Sequence, residues 1–309
     1  MRILVIGGTG FIGRHLVARL SAGQHQVLVP SRLYARGRDL QLLPTVTVLE
    51  ADVQDDATLD RLAEGCDAVV NLAGILHGNS GRPYGSDFAR VHVHLPQRLA
   101  AACRRQGVRR MLHMSALGAD SGGPSMYQRS KGDGEAAVKQ EFADWNPQGW
   151  TIFRPSVVFG PDDKFTNRFA RLARCLPALP LAGAGARMQP VYVGDVVKAM
   201  ETALTDSHAG GKTYELGGPQ VYTLGEIARL CAAWGGHPRP VLPVPMGLGR
   251  LQARLFECMP GEPLMSRDNL DSLRTDNVCA GPIAPELRVV PTGLEAVAPG
   301  YLRGGTPLR

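Results

Sequence analysis

A tyrosine and a lysine four residues apart carry the strongest chemical signal in this sequence. Tyr127 and Lys131 lie in the stretch SMYQRSK, and on a helix residues at this spacing share one face. A tyrosine phenol titrates near ~10 in water, and a neighbouring ammonium lowers that pKa because it favours the phenolate. The pair predicts an acid–base group for a carbonyl or hydroxyl, although an exposed tyrosine beside a solvated lysine has the same spacing. Ser115, at the end of the predicted strand 110–115, would hold the same oxygen atom.

A run of glycines near the first residue predicts a site for a dinucleotide. Gly8, Gly10 and Gly13 have the fingerprint spacing, between an apolar run at residues 2–6 and a periodic helix at residues 11–20. Glycine takes positive φ cheaply, its bare backbone admits a pyrophosphate, and a helix N-terminus supplies N–H donors. A glycine-rich turn that binds nothing is the alternative, but strand, turn and helix are in the register that the fingerprint requires.

The residues after the predicted second strand, 26–29, bear on the choice of cofactor. No Asp or Glu lies between Gln24 and Arg38, where an NAD-selective fold places an acidic residue on the ribose hydroxyls. Arg32, supported by Arg36 or Arg38, is our candidate for holding a 2′-phosphate, and a solvent-facing loop arginine is the alternative. We therefore expect NADP(H) as the preferred cofactor and keep NAD(H) as the alternative.

Asp52 follows the predicted third strand, 46–50, and has two interpretations. At the carboxyl end of a strand, its carboxylate could accept a hydrogen bond from the adenine amino group. It could instead cap the helix that begins near Asp55. The sequence alone leaves both roles open.

Composition and charge exclude several classes of protein. The chain has 309 residues, of which 44% are hydrophobic and 20% charged, as in soluble globular proteins. No apolar run approaches the ~20 residues of a membrane-spanning helix, and the first predicted strand begins at residue 2, so we expect a cytoplasmic protein without a signal peptide. The net charge of +6 is not accompanied by a nucleic-acid-binding module, so we expect no nucleic-acid partner. His92 and His94 would point to different faces of a helix, and the six cysteines form no C-x-x-C pair, so we predict reduced thiols and no metal site.

Short apolar strands alternate with amphipathic helices along the chain, which predicts an α/β fold. We expect a doubly wound parallel sheet of about six or seven strands, Rossmann-type, with a smaller mixed α/β C-terminal substrate part over the carboxyl ends of the strands. The predicted divisions are a dinucleotide-binding domain at 1–155, a substrate-binding part at 156–280 interleaved with it, and a tail at 281–309. The tail is rich in Pro and Gly and lacks periodicity, so we expect it to be mobile.

Local signals define helices in the C-terminal part. Asp195 is predicted as the N-cap of a helix at 195–204. Thr223 and Glu226 have the spacing of a capping box. Residues 266–278 are predicted to form one further helix.

Residues 246–259 are predicted to form an amphipathic helix with Arg250 and Arg254 on its polar side. Such a helix either packs on the domain or binds a membrane surface or a partner. A peripheral position at the inner face of a membrane, or contact with a respiratory complex, is therefore a further expectation.

Taken in this order, the motifs resemble the landmarks of the short-chain dehydrogenase/reductase superfamily, in its extended or atypical branch of NAD-dependent epimerase/dehydratase-like proteins. The landmarks are Gly7-x-x-Gly10-x-x-Gly13, Asn71-Leu-Ala-Gly74, Ser115 and Tyr127-x-x-x-Lys131. Within that superfamily, the stretches HMSALGAD, SMYQRSKGDGE, RPSVVFGPDDKFTNRF and QPVYVGDVV are similar to the group of the nucleotide-binding accessory subunit of respiratory complex I and its bacterial relatives. The resemblance runs from residue 1 to about residue 280.

The resemblance implies a role for each chemical residue. Tyr127 would be the acid–base group, Lys131 would hold the nicotinamide ribose and lower the pKa of Tyr127, and Ser115 would orient the substrate. One departure is His92, which stands where extended members often carry an Asn of a proton relay. Motifs and resemblance together predict these cofactor-binding residues: Gly7, Thr9, Gly10, Phe11, Ile12, Gly13, Arg32, Asp52, Val53, Leu72, Ala73, Gly74, Lys131, Pro155 and Val158.

Two functions remain open at this point. The first is an NADP(H)-dependent oxidoreductase or epimerase-like enzyme that moves hydride at a carbonyl or carbinol carbon of a small molecule, with Tyr127 as the acid–base group. The second is a non-catalytic nucleotide-binding structural or assembly protein linked to respiratory complex I or quinone metabolism. The resemblance implies this second function because the complex I subunit is thought to hold NADPH as a structural element. Neither the substrate nor the oligomeric state is predicted.

Overall fold

The structure is a computed structural model that describes residues 1–258, 261, 263 and 265–303. In this part of the chain the strands are β1 (Arg2–Ile6), β2 (Gln26–Ser31), β3 (Val46–Glu50), β4 (Ala68–Asn71), β5 (Met111–Met114), β6 (Trp150–Pro155), β7 (Val158–Phe159), β8 (Leu179–Ala182), β9 (Arg187–Met188), β10 (Val191–Tyr192), β11 (Lys212–Leu216), β12 (Tyr222–Thr223) and β13 (Val241–Val244). The α-helices are α1 (Phe11–Ala22), α2 (Asp56–Ala63), α3 (Ser86–Phe88), α4 (Leu95–Gln106), α5 (Met126–Phe142), α6 (Thr166–Cys175), α7 (Val193–Thr205), α8 (Leu224–Trp234), α9 (Met246–Glu257), α10 (Arg267–Ser272) and α11 (Leu294–Leu302).

Seven of these strands form one parallel sheet in the order β3-β2-β1-β4-β5-β6-β11. The central strand β1 is a continuous apolar run, in which Ile3, Leu4, Val5 and Ile6 are at most 1% exposed. Parallel strands covered on both faces require such a run. The strand order reverses between β1 and β4, and open α/β sheets bind ligands outside the carboxyl ends of the strands at such a point. The predicted Rossmann-type α/β fold is confirmed.

Helices cover both faces of this sheet. On one face, α1 and α7 contribute Leu16 and Val196 to the core cluster that contains Ile3 and Val5 of β1. On the other face, α2, α4 and α5 belong to a second cluster, with Leu59, Leu99 and Val138. The sheet is thereby a rigid platform, and the loops after its strands carry the candidate site.

The helix expected to carry His92 and His94 is broken into three pieces. A π-helix (Ala89–His94) separates α3 from α4. Pro96 lies in the first turn of α4. Proline is tolerated at this position because the first N–H groups of a helix have no partner within it. Since proline has no N–H group, it also interrupts the hydrogen bonds that would continue the preceding helix into α4. The wider turn places His92 in the interior, with 1% of its surface exposed. π-Turns inside helices are frequent at functional sites.

The C-terminal part forms a small lobe, built from α6, α8, α9, α10, α11 and the parallel strand pair β8–β13. Its main core cluster includes Ala173 of α6, Ile227 and Cys231 of α8, and Leu294 of α11. Strand β11 lies in the main sheet beside β6, so the chain returns from the small lobe to the first domain before it enters α8.

Residues 281–303 of the expected mobile tail contain a packed helix. Helix α11 lies within this range and buries Leu294, Ala298 and Leu302 against the small lobe. The hydroxyl of Tyr301 donates to Asp163 Oδ2 at 3.1 Å and lies 2.8 Å from the hydroxyl of Thr166. Pro299 and Gly300, which counted against a regular element in the sequence, lie inside α11. Residues 304–309 of the predicted tail lie outside the described residues.

Two further predictions for the C-terminal part need correction. Asp195 is not the N-cap of α7, which begins two residues earlier at Val193. Its carboxylate accepts hydrogen bonds from Thr292 N and Oγ1, at 2.6 and 3.1 Å, and so ties α7 to a segment far along the chain. The helix predicted at 266–278 ends at Ser272, where α10 ends.

Other local signals predicted the structure correctly. The Thr223 side chain and Glu226 form the capping box that opens α8. The predicted amphipathic helix is α9, which starts at Met246 as expected, while the predicted last residue, Met259, lies outside the described residues. In the described part of the chain, no helix has both the length and the apolar character needed to cross a membrane.

Candidate active site

The glycine turn after β1 is packed so tightly that larger side chains do not fit. Gly7 has φ +80°, and a Cβ on it would lie 3.0 Å from Ala73 N at the end of β4. A Cβ on Gly13 would lie 2.3 Å from the carbonyl oxygen of Gly7. The turn therefore joins the ends of β1 and β4 and brings the backbone of α1 against the strand.

The N-terminus of α1 has no side-chain cap and no acidic residue in its first turn. Gly10 occupies the N-cap position, and the N–H groups of Phe11, Ile12 and Gly13 begin the helix. Such N–H groups lack partners within a helix and are well placed to bind a phosphate. This turn thus fits a dinucleotide in backbone shape and in hydrogen-bonding capacity.

The predicted phosphate-binding arginines lie beside this turn. Arg32 follows β2 directly and is exposed, as are Arg36 and Arg38. Arg14 of α1 donates to the carbonyl oxygen of Arg36 at 2.8 Å and to Asp39 at 2.6 Å. These contacts fix the arginine-bearing segment against the first turns of α1.

Asp52 does not cap α2, so this alternative is wrong. The N-cap is Asp55, whose carboxylate accepts from Thr58 N at 2.7 Å. Asp52 accepts only a local hydrogen bond, from Gln54 N at 3.0 Å. It lies after β3 at the same edge of the sheet as the glycine turn, and the adenine role stays a prediction.

The loop after β4 places two side chains close to the backbone of Gly74. A Cβ on this glycine would lie 3.4 Å from Lys131 Nζ and 3.7 Å from His92 Nε2. The loop is shaped by Asn71, whose Oδ1 accepts from Ala73 N at 3.1 Å. The Nδ2 group of Asn71 donates to His113 Nδ1 at 3.1 Å, so the imidazole of this buried histidine is neutral with its proton on Nε2.

Helix α5 presents Tyr127 and Lys131 at the carboxyl edge of the sheet. Ser125 and Gln128 form a capping box at its start, and Asp268 of α10 accepts from the backbone N–H groups of Met126 and Tyr127 at 2.6 and 3.1 Å. Lys131 Nζ donates to the carbonyl oxygen of Met114 at 3.0 Å and lies 6.0 Å from the centroid of the Tyr127 ring. Tyr127 and Lys131 therefore share one face of α5, as their spacing predicts.

Burial decides the ionisation of this pair. It raises the pKa of Tyr127 to about 12, because a phenolate is poorly solvated there. It lowers the pKa of Lys131 to about 8, although the nearby Glu135 carboxylate acts in the opposite direction. The lowered pKa that the sequence predicts for Tyr127 is thus wrong for this geometry, since burial outweighs an ammonium that is not in contact with the hydroxyl.

The His92 imidazole is neutral, and its hydrogen bonds fix its position beside the Tyr127 ring. Its Nε2 accepts from Ile75 N at 3.0 Å, so Nδ1 carries the proton and donates to Ser130 Oγ at 2.8 Å. Its ring meets the Tyr127 ring edge-on, with the centroids 5.5 Å apart. Burial and the Lys131 ammonium lower the pKa of His92 to about 2. His92 therefore packs against the tyrosine ring as a neutral imidazole.

Ser115 is held by a buried carboxylate. Its hydroxyl donates to Glu135 Oε1 at 2.5 Å, and Arg154 Nε and Nη2 each lie 2.7 Å from an oxygen of the same carboxylate. Glu135 and Arg154 are not among the site residues predicted from the sequence. The spacing could have revealed Glu135, which lies four residues after Lys131 and therefore on the same face of α5.

The remaining predicted cofactor residues converge on the same region. Phe11, Ile12, Leu72 and Val158 pack around one core cluster beneath the glycine turn. Pro155 ends β6, and its carbonyl oxygen accepts from Leu117 N at 2.9 Å. Val53, Ala73 and Thr9 lie after β3, β4 and β1, respectively. The structure thus places the predicted set at the carboxyl edge of the sheet.

A cavity of about 560 Å³ opens beside the first turn of α5. Met126 and Arg129 of this helix form one wall. Residues 77–80 after β4 form another, and α9 and α10 of the small lobe close the far side with Arg250 and Asp271 among others. Met126 precedes Tyr127 in the chain, but Tyr127, Lys131 and Ser115 are not among the residues that line this cavity.

Comparison with known proteins shows which proteins share this architecture. A family model described as the NAD dependent epimerase/dehydratase family matches residues 3–217. The chain is 33% identical over 309 residues to NADH dehydrogenase (ubiquinone) 1 alpha subcomplex subunit 9, mitochondrial, of Mus musculus, covering 97% of this chain and 79% of that protein. It is 32% identical over 196 residues to the ceramide reductase of Caulobacter vibrioides, covering 62% of this chain and 57% of that protein.

The fold matches that of UDP-glucuronic acid 4-epimerase from Bacillus cereus, solved in complex with UDP-glucuronic acid and NAD. The TM-score is 0.73 at 20% identity, with 98% of this chain and 99% of that chain covered, so the likeness shows the fold alone. The resemblance predicted from the motifs is confirmed by the family model and by the mouse relative. The chain belongs to the NAD dependent epimerase/dehydratase family.

Proposed function

We propose that this protein is an NADP(H)-dependent oxidoreductase that reduces a carbonyl group of a small molecule. The observation that carries the proposal is the position of Tyr127 and Lys131. Both lie on one face of α5, and Lys131 Nζ bonds to the end of β5 and lies close to Gly74, at the edge of the sheet that carries the glycine turn. In this fold, ligands bind outside the carboxyl ends of the strands, and a phenol and an ammonium at this edge would lie near the reactive end of a bound dinucleotide.

The residues present fit a dinucleotide phosphate. The uncapped first turn of α1 and the close-packed Gly7 and Gly13 admit the pyrophosphate, and Arg32 with Arg36 or Arg38 would hold a 2′-phosphate. When bound, the nicotinamide of NADPH would supply the hydride. Lys131 would donate hydrogen bonds to its ribose. This arrangement supports NADP(H) over NAD(H).

The ionisation of the site suits a general acid. With its pKa raised to about 12, Tyr127 keeps its proton at neutral pH and can donate it from Oη to the carbonyl oxygen of a substrate. Lys131, with a pKa of about 8, is charged at neutral pH and would stabilise the phenolate that the proton transfer leaves.

The test is substitution of the tyrosine hydroxyl. Tyr127→Phe should lower NADPH-dependent reduction of the best substrate in an aldehyde and ketone panel by about 10²- to 10⁴-fold, the usual worth of a general acid. The Kd for NADPH, measured by calorimetry, should stay within about two-fold. Tyr222→Phe is the matched control, because that hydroxyl contacts Gln220 in the small lobe. Undiminished turnover in Tyr127→Phe, or failure of the folded protein to bind either pyridine dinucleotide, would contradict the proposal.

A second candidate function is a structural nucleotide-binding subunit of a respiratory assembly. Its support is the similarity to the mouse NADH dehydrogenase subunit, which extends over 97% of this chain. The hydroxyl of Ser115 also donates to Glu135 instead of facing the tyrosine. Under this function NADPH binds without turnover of any panel member, Tyr127→Phe leaves binding and stability unchanged, and the protein co-sediments with respiratory membranes.

A further inference from the structure

A buried carboxylate lies one helical turn from Lys131. Glu135 is 2% exposed and Lys131 is 4% exposed, and at the i, i+4 spacing both side chains project from one face of α5. Opposite charges this close interact strongly where solvent is excluded, because the effective dielectric constant there is well below that of water. Glu135 is thus placed to act on the charge of Lys131.

Both side chains are fastened to the end of β5. Lys131 Nζ donates to the carbonyl oxygen of Met114 at 3.0 Å, and Glu135 Oε1 accepts from the hydroxyl of Ser115 at 2.5 Å. Met114 and Ser115 are consecutive residues, so the ammonium and the carboxylate are held against the same turn of backbone. An exposed pair at this spacing lacks such contacts and contributes little, because its side chains move freely in water.

Arg154 of β6 stabilises the ionised form of Glu135. Its Nε and Nη2 groups donate to the two carboxylate oxygens, each at 2.7 Å, which is the strong bidentate geometry of an Arg–carboxylate pair. Together with the Ser115 hydroxyl, this contact compensates the carboxylate for its burial. Lys139 lies 3.7 Å from Oε2, with 41% of its side chain exposed. A negative charge is therefore maintained beside Lys131.

The other titratable groups that act on this part of the site carry no negative charge at neutral pH. Tyr127 keeps its proton because burial raises its pKa to about 12. Burial, assisted by the Lys131 ammonium, lowers the pKa values of His92 and His113 to about 2 and about 3, so both imidazoles are neutral. Burial also lowers the pKa of Lys131 to about 8, and the Glu135 carboxylate is the group that opposes this change.

We propose that Glu135 is a positioning residue that holds Lys131 in its charged form, through a carboxylate fixed by Ser115 and Arg154. A charged Lys131 is what the proposed reductase uses to bind the ribose and to stabilise the phenolate of Tyr127, so the catalytic consequence rests on the proposed function. The charge of Lys131 itself does not, and it can be measured without any substrate.

Titration of Lys131 by NMR tests the proposal in the full chain. The chain has five lysines, so ¹³C-lysine labelling gives few resonances, and the one absent from Lys131→Gln identifies Lys131. Glu135→Gln keeps the shape of the side chain and an acceptor oxygen for Ser115 but removes the charge. It should move the midpoint of the Lys131 titration from about 8 to lower pH by at least about one pH unit.

The matched control is Glu141→Gln, which removes the same charge from the same helix. Glu141 lies ten residues from Lys131, about 15 Å along the helix axis, where salt and solvent screen its charge. This variant should leave the midpoint within about 0.2 pH unit of that of the natural sequence. An equal shift in both variants would show that the charge of the whole helix, and not Glu135, sets the titration, and would overturn the proposal.

The pH profile of NADPH-dependent reduction provides the catalytic readout. In Glu135→Gln the alkaline limb should move to lower pH with the Lys131 midpoint, and turnover at pH 7.5 should fall at least about three-fold, the loss of charged lysine that such a shift produces. A merely structural role would lower turnover without moving the limb. If the protein proves to have no reductase activity, the shift of the Lys131 resonance still supports the role of Glu135, so the two failures are distinguishable.

An unmoved Lys131 midpoint in folded Glu135→Gln overturns the proposal, whatever the activity. A circular dichroism spectrum and melting temperature like those of the natural sequence establish that the variant is folded. If loss of the carboxylate prevents folding because Arg154 is left unpaired, the same titration is made on E135Q/R154Q, which has no unpaired cation. The expected result is the same shift to lower pH, and an unmoved midpoint there has the same meaning.

Discussion

At the scale of single residues, burial governs the chemistry of this site more than spacing does. Tyr127, Lys131 and Glu135 lie at successive i+4 positions on α5, and this part of the arrangement can be predicted from the sequence. The ionisation of Tyr127 and Lys131 depends instead on the strands and helices that pack over them. The pKa of Tyr127 is raised and that of Lys131 is lowered by the same cause, loss of solvent. The spacing of residues in the sequence does not show how far solvent is excluded from them.

Arg32 provides a test of cofactor choice at a single position. We expect Arg32→Ala to weaken NADP(H) about 10-fold or more, because a charge-assisted contact to the 2′-phosphate contributes about 1.5–3 kcal/mol. NAD(H) has no such phosphate, so its Kd should change by less than about two-fold. Isothermal calorimetry with both cofactors measures the ratio. Arg104→Ala, at an exposed arginine of α4, should leave both values unchanged, and equal losses for the two cofactors in Arg32→Ala would refute the assignment.

At the scale of elements, the sequence predicts best where the cause is local. Strand β1, the glycine turn and α1 are adjacent in the chain, and their positions follow from neighbouring residues. Asp195 and Tyr301 show where prediction from neighbouring residues fails. The first binds Thr292 and the second binds Asp163, and these partners lie 97 and 138 residues away. A capping rule or a composition rule contains no information about such partners.

The glycine turn yields a prediction about the joint between β1 and α1. Gly13→Ala would place a Cβ 2.3 Å from the carbonyl oxygen of Gly7, and this backbone atom has no rotamer by which to move away. We expect a loss of about 1–3 kcal/mol in the free energy of unfolding and at least about 10-fold in the Kd for NADPH. Gly300→Ala is the matched control, since a Cβ there meets nothing within 4 Å and α11 accommodates alanine well. Urea denaturation and calorimetry measure both effects, and a Gly13→Ala variant as stable as the control would contradict the packing described.

At the scale of the whole molecule, α11 packs against the small lobe. Leu302→Ala in α11 should lower the free energy of unfolding by about 2–5 kcal/mol, because Leu302 is 5% exposed and its truncation leaves a cavity. Val290→Ala removes a side chain that is 83% exposed and should change stability by less than about 0.5 kcal/mol. Chemical denaturation distinguishes the two. Similar small effects for both variants would restore the mobile tail that the composition suggested.

Two buried histidines, one in the π-helix and one in β5, make the stability of the whole molecule depend on pH. His92 and His113 are each 1% exposed, and burial lowers their pKa values to about 2 and about 3. The unfolded chain binds protons at both near pH 6.5 while the folded chain does not, so their contribution is fully present above pH 6.5 and is lost as pH falls toward 3. The limiting slope of the free energy of unfolding against pH is about 1.4 kcal/mol per pH unit for each histidine.

Denaturation from pH 7 to pH 4 measures this slope. His113→Gln should flatten the dependence by up to one proton, whereas His208→Gln, at a side chain that is 80% exposed, should leave the slope unchanged; equal slopes for all three proteins would mean that His113 is not neutral in the folded state.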